Sequence, residues 1–179
     1  MVRTSITHPM RIGTIELDNC KVGFSLCPGK KQESSLSGGV WNRCLNTDLE
    51  LISNAGFDVV VSLIEDFEFN DLSVEELSDK KTSEYGMSWI WTPIVDGGIP
   101  SPEIASELNS IIDSLEDRRS VFIHCKGGLG RAGTIASWLL THNGYTAEDA
   151  ILKARTVRKG AVENMDQVNW IKANAGRRL

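Results

Sequence analysis

One stretch, His124-Cys125-Lys126-Gly127-Gly128-Leu129-Gly130-Arg131, limits what this chain can fold into more than any other. It sets a cysteine and an arginine at the two ends of a turn that holds three glycines. Before it, Ser120-Val121-Phe122-Ile123 is a short apolar run that reads as a buried strand. After it, residues 132–143 (AGTIASWLLTHN) carry Ile135, Trp138, Leu139 and the aliphatic edge of His142 at helical spacing, and Gly144 is a stop signal. The cysteine therefore stands where a strand hands over to a helix.

Gly127, Gly128 and Gly130 let successive backbone N–H groups turn toward one centre, and the helix that follows adds the positive end of its dipole. A dianionic phosphate suits that site. The same donors favour a thiolate, which makes Cys125 a candidate nucleophile. Arg131 offers a planar two-pronged clamp for phosphoryl oxygens, and Lys126 adds local positive charge. His124 either hydrogen-bonds the loop and fixes the cysteine, or is a plain core histidine. A buried structural cysteine in a glycine turn is the bland alternative for Cys125.

A second segment supplies a proton donor. In Trp91-Thr92-Pro93-Ile94-Val95-Asp96-Gly97-Gly98-Ile99-Pro100, an aspartate follows a strand-like apolar run and precedes glycines that offer freedom and a proline that limits it. Asp96 is either a turn residue or the acid of a loop that closes over a bound ester.

The first stretch resembles the Cys-x5-Arg signature of protein tyrosine and dual-specificity phosphatases, with the preceding histidine in place. The second resembles the Pro-x-x-Asp-Gly-Gly-x-Pro acid loop of the kinase-associated branch of the dual-specificity family. The likeness runs on through Pro102-Glu103-Ile104-Ala105 to Gly160-Ala161-Val162 and Gln167, and Cys27-Pro28-Gly29 matches a turn near the start. The resemblance implies a tyrosine-phosphatase-like α/β fold, with Cys125 as nucleophile, and with Arg131 and the amides of Lys126, Gly127, Gly128, Leu129 and Gly130 as the phosphate clamp. Asp96 would be acid and then base around a phosphocysteine, with no metal or cofactor. It also implies phosphoprotein substrates, phosphotyrosine or phosphoserine and phosphothreonine, with a kinase as a possible partner.

The sequence departs from the family at Ala132, where relatives place a Ser or Thr whose hydroxyl donates to the departing sulfur. Losing such a donor costs about tenfold to a thousandfold in rate. Thr134 either compensates in part or bonds its own backbone. Gln167 either positions the attacking water or is a solvated glutamine on an amphipathic helix. Arg155 and Arg158 either line the site mouth or complement the C-terminal dipole of the helix from Thr146, the second being the safer reading.

With 179 residues, 41% of them apolar and 24% charged, the chain suits a single domain with its own core. It has no long apolar run, targeting start or C-terminal cysteine box, so a cytoplasmic location without stable membrane association is expected. A net charge of −5 argues against general binding to nucleic acid or acidic membranes. Cys20, Cys27, Cys44 and Cys125 form no metal-ligand or disulfide pattern. The first three are expected to pack as buried thiols, the alternative being a reversible disulfide to Cys125.

Residues 12–17 and 21–26 read as an edge hairpin, 57–64 as a buried strand and 87–92 as another. Helices are expected from a cap at Asn46 or Thr47 to Asn54, after a Ser73–Glu76 capping box, and from Ser101 to about Glu116. This alternation predicts a central, largely parallel sheet covered by helices on both faces. The polar stretch 30–39 (KKQESSLSGG) is expected to be a flexible surface loop, or to border the active site and set its depth. Two alternatives to a protein phosphatase stay open. A phosphoinositide phosphatase fits Lys126 but lacks the second basic loop residue, since Leu129 stands there. A phosphate-binding module with slow turnover fits Ala132. A sulfur-transfer or arsenate-reducing enzyme would not call for the aspartate loop.

Overall fold

The computed structural model describes residues 1–34 and 39–179. In chain order the strands are β1 (Val2–Arg3), β2 (Gly13–Glu16), β3 (Lys21–Leu26), β4 (Lys31–Ser34), β5 (Gly39–Asn42), β6 (Val59–Ser62), β7 (Ser88–Trp91) and β8 (Val121–Cys125). The helices are α1 (Leu45–Asn54), α2 (Asp66–Asp71), α3 (Asp79–Ser83), α4 (Ala105–Glu116, entered by a 3-10 turn at Pro102–Ile104), α5 (Gly130–Thr141), α6 (Ala147–Val157) and α7 (Met165–Asn174). Among the described residues none is long and apolar enough to cross a membrane.

The main sheet has the order β2-β3-β8-β6-β7, parallel throughout except for the antiparallel edge hairpin of β2 and β3. The expected α/β class, with a largely parallel sheet and helices on both faces, is the one observed. Side chains alternate between the faces. Val59, Val61, Val121, Ile123 and Cys125 join the core beneath α4, α5 and α6, whereas Val60 and Phe122 join the one beneath α1 and α2. This alternation puts Cys125 and His124 on opposite faces of the sheet.

Three local expectations need correction. The stretch 30–39 is not one loop: Lys31–Ser34 pairs antiparallel with Gly39–Asn42, and β1 pairs parallel with β5, giving a second, three-stranded sheet. Ser35, Leu36, Ser37 and Gly38 lie outside the described residues. The hairpin lacks an apolar alternation and gathers cations on Trp41 instead, with Arg3, Lys30 and Arg43 at 5.1, 5.8 and 5.9 Å from its ring centroid.

Ser73 opens no helix. It closes α2 with a left-handed φ of 52°, its N–H donating to Asn70 and that of Val74 to Phe69, the Schellman arrangement, while Val74 and Phe69 share the core. The N-cap of α3 is Ser78, whose hydroxyl accepts from Lys81 N–H.

Helix α1 starts earlier than Asn46, at a Cys44 cap, and its Asp48 is buried. Its carboxylate accepts two bonds of 2.8 Å from Arg43 and one of 2.9 Å from the Gly29 amide, with both side chains 1% exposed. Arg43 also donates to the His8 carbonyl, so one ion pair ties the N-terminal segment, the β3–β4 turn and α1 together. Such a pair is destabilising to break one-sidedly, because the survivor is left charged and buried. Asp48→Asn should therefore lower stability by about 3–5 kcal/mol, while Arg43→Met combined with Asp48→Leu should recover part of it, read as urea midpoints. An unchanged midpoint in Asp48→Asn would mean that the pair does not anchor these segments.

Candidate active site

The glycine turn is shaped by what lies behind it. Gly128 has φ +72°, and a Cβ there would overlap the Ser25–Leu26 peptide of β3, so no side chain fits. Its N–H donates to Cys125 Sγ at 3.2 Å. The carbonyl of the same peptide unit, that of Gly127, accepts from Arg158 Nη2 at 3.1 Å, and the Gly128 carbonyl accepts from Arg158 Nε at 2.6 Å. Drawing these carbonyls outward turns the loop amides inward. Arg158 thus neither lines the mouth nor serves the helix dipole, the safer of the two expected readings; it braces the loop and also binds the Arg11 carbonyl. Arg155 stands in the last turn of α6, where the dipole reading places it, and donates to the carbonyls of Ala161 and Val162.

Cys125, 3% exposed, opens into a cavity of about 430 Å3 with Lys126, Gly127, Leu129, Gly130 and Arg131 from the loop. Arg131 is 1% exposed and reaches two other segments, α2 and the stretch after β7. It binds Glu68 of α2 through Nη1 at 2.6 Å and Nη2 at 3.0 Å, the Ile94 carbonyl at 3.0 Å, and Asp96 Oδ1 at 3.0 Å. Burial alone would lower the Arg131 pKa, but Glu68 and the negative groups around it raise it, so the guanidinium stays charged. Burial pushes the Glu68 carboxyl up, and the bonds from Arg131 outweigh that and hold it below its ordinary value. The buried Arg131 Nε has no partner among the described residues and remains a donor for an anion.

The Asp96 loop is held over the cavity from its outer side. Asn164 donates to the Gly97 carbonyl at 2.8 Å and Gln167 to the Gly98 carbonyl at 3.3 Å. Gln167 is fully buried, which overturns its reading as a solvated helix residue, and its Oε1 is taken by the Glu163 amide at 2.8 Å. Thr134 donates to the Gly130 carbonyl at 2.7 Å, so its hydroxyl is spent on the backbone of its own helix. Ala132 is fully buried and brings no hydroxyl. All four cysteines are free thiols, but only Cys27 and Cys125 are buried; Cys44 is exposed and Cys20 partly so, against the expectation of buried packing.

On the opposite face, the His124 ring bonds Ser62, with Nε2 and Oγ 2.6 Å apart. Trp89 donates to the same Oγ at 2.7 Å, so the arrangement that uses the hydroxyl proton sends it to Nε2 and leaves the ring proton on Nδ1. Three neighbouring strands are thereby linked behind Cys125.

A family model described as a polymorphic toxin system DSP-PTPase phosphatase matches residues 39–144, more than half of the chain. The chain belongs to the dual-specificity and tyrosine phosphatase family. Cyclin-dependent kinase inhibitor 3 of Rattus norvegicus is 29% identical to this phosphatase over 91% of the chain and 77% of the relative. The tyrosine-protein phosphatase cdc-14 of Caenorhabditis elegans is 33% identical over 51% of the chain and only 13% of that longer protein. Among solved structures, a kinase associated phosphatase with its catalytic-site cysteine replaced by serine superposes with a TM-score of 0.77 at 26% identity, covering 91% of this chain and 92% of that one.

Three residues at or behind this phosphatase's cavity escaped the sequence reading. Glu68, Ser62 and Asn164 carry no local signal, since each is an ordinary polar residue until the fold brings it to its partner. The stretch expected to be a surface loop or to border the active site does border the cavity, through Lys30, Gln32 and Glu33, and Lys30 Nζ donates to the Lys126 carbonyl at 3.3 Å.

His124 makes the pH dependence of stability testable. Burial pushes its pKa from an ordinary 6.5 down to about 3; the Cys125 peptide opposes this weakly and the Arg131 charge adds to it. A depressed histidine pKa means that the unfolded chain takes the proton first. Its contribution is therefore complete above pH 6.5 and is lost as pH falls toward 3, at about 1.4 kcal/mol per pH unit. The stability difference between wild type and His124→Asn, measured by urea unfolding at pH 7, 6 and 5, should shrink by that slope below pH 6.5. A constant difference would show that the imidazole is not held neutral.

Proposed function

We propose that this phosphatase hydrolyses phosphomonoesters of phosphoproteins through a phosphocysteine intermediate, with Cys125 as nucleophile and Asp96 as acid and then base. Arg131 and the amides of residues 126–131 hold the phosphoryl group. One observation carries the reading: Cys125 Sγ, the inward-turned Gly128 amide, Arg131 and Asp96 converge on one cavity, although they come from a strand end, a turn, a helix start and a distant loop.

Cys125 Sγ attacks phosphorus, the bond to the ester oxygen breaks, and the leaving oxygen takes its proton from Asp96. Asp96, now a carboxylate, removes a proton from water as that water attacks phosphorus. The S–P bond breaks, returning the thiolate and releasing orthophosphate. No metal enters these steps. In the ligand-free protein Asp96 pairs with Arg131, so a bound phosphate takes over the guanidinium and frees the carboxyl for the leaving group. Similarity to a cyclin-dependent kinase inhibitor and to a kinase associated phosphatase supports a phosphorylated kinase among the substrates.

Ala132 and the committed Thr134 hydroxyl favour a second reading, a phosphate-binding module that turns over slowly. Phosphate release from para-nitrophenyl phosphate in chelator separates the two. Wild type should turn over many times, Cys125→Ser should be inactive, and Asp96→Ala should fall about a hundredfold or more. A stall after one equivalent of nitrophenol would favour the binding module.

The same assay tests the missing hydroxyl. If breakdown of the phosphocysteine is slow, wild type shows a nitrophenol burst before its steady state, and Ala132→Ser should raise the steady rate about tenfold or more while shrinking the burst. An unaltered steady rate would place the slow step elsewhere.

A further inference from the structure

Lys30 is a cation of the phosphate cavity that the Cys-to-Arg loop does not supply. It follows the Cys27-Pro28-Gly29 turn and is only 7% exposed, yet it shares the cavity wall with Cys125, Lys126 and Arg131. Other buried cations of this protein have carboxylates: Arg43 has Asp48, and Arg131 has Glu68. Among the described residues Lys30 has none within ion-pair distance. The acceptor for its Nζ is the Lys126 carbonyl at 3.3 Å, and the Trp41 ring centroid lies 5.8 Å away, so an ammonium with three N–H donors has two left for the cavity. Burial lowers its pKa, and the Lys126 charge acts in the same direction, while Cys27, Cys125 and Asp96 oppose them. Keeping an unpaired ammonium in such a wall is costly unless an anion meets it.

Arg131 and the loop amides already serve one phosphate, and the cavity of about 430 Å3 has room beside it. Lys30 bonds the Lys126 carbonyl and feels the Lys126 charge, so the two cations share one part of the wall, and the carboxylates of Glu33 and Glu163 belong to the same lining. That mixed rim and the net charge of −5 disfavour an anionic membrane surface and admit a small, localised anion. Leu129 leaves the loop without a second basic residue; Lys30, from another element, supplies it.

We infer that Lys30 and Lys126 form a second anion site beside the reacting phosphate, and that the preferred substrates are phosphopeptides carrying a further phosphate on the residue next to the one dephosphorylated. The inference rests on the phosphoprotein phosphatase reading above.

The test is binding of matched peptides, phosphorylated once or on two adjacent residues, to the full chain carrying Cys125→Ser, followed by fluorescence anisotropy. The doubly phosphorylated peptide should bind roughly tenfold tighter or better, as a charge-assisted contact predicts. Adding Lys30→Gln should bring the ratio of the two affinities toward one, and Lys30→Arg should keep most of it. The ratio is insensitive to a general loosening of the pocket, which would weaken both peptides alike; equal weakening with the ratio intact would overturn the inference. Tighter binding of inositol bisphosphate than of the doubly phosphorylated peptide, with the same dependence on Lys30, would overturn the peptide assignment. Wild-type turnover of both peptides separates the two readings. Preference in binding without hydrolysis would sink the phosphatase mechanism and keep the anion site, whereas hydrolysis without preference would sink the anion site alone.

Discussion

The buried guanidinium of Arg131 is the interaction on which the rest of this structure depends. A cation at 1% exposure is tolerable only if it is paired and hydrogen-bonded, and the fold is arranged to provide that. Glu68 comes from α2, Ile94 and Asp96 from the segment after β7, and Arg131 itself from the first turn of α5. Elements 37 and 63 residues away in the chain are thus fixed to the phosphate loop by one side chain. The charge that would hold a phosphoryl group also sets the position of the loop carrying the proposed acid.

Glu68 does two jobs that reinforce each other. Its Oε2 accepts the Glu65 amide at 2.9 Å, closing the N-terminus of α2, and the same carboxylate receives Arg131. The helix end fixes the carboxylate before the arginine arrives, so the ion pair needs little further ordering. Arg158 acts on the other side of the turn in a comparable way. A peptide unit is planar with its C=O and N–H pointing opposite ways, so holding the Gly127 carbonyl outward commits the Gly128 N–H to the sulfur. One arginine faces the ligand and the other shapes the surface that meets it.

How much of this was legible follows from how local each signal is. The strand, glycine turn and helix around Cys125 are written in contiguous residues, and the Asp96 segment in ten more, so both were readable with the α/β class and the edge hairpin. The β4–β5 hairpin was not, because its strands are polar and its stability comes from backbone pairing and cations around Trp41 rather than an apolar face. Ser73 looked like a cap because serine followed by glutamate has that spacing, but the residue sits in a left-handed closure of the preceding helix. Glu68, Ser62 and Lys30 have meaning only through contacts 62 to 96 residues distant, which no local pattern encodes. Arg158 was read by the helix it ends rather than by the loop it meets.

The single-residue step from His124 to Cys125 shows why the sheet suits this site. Neighbouring residues on a strand face opposite ways, so the chain can attach a neutral, hydrogen-bonded anchor on one face to a thiol on the other. Trp89, Ser62 and His124 tie β7, β6 and β8 together by hydrogen bonds where the histidine is 0% exposed and pushed down to about 3 in pKa. Charge is thereby excluded from one face directly behind the point where the other collects it. Lys30, Lys126 and Arg131 bring positive charge to that second face, while Asp96 moderates it until an anion binds. Cys125 consequently stands at a strand end with neutral, hydrogen-bonded support behind it and the cations in front, and in the proposed mechanism it is the Asp96–Arg131 pair that gives way to substrate.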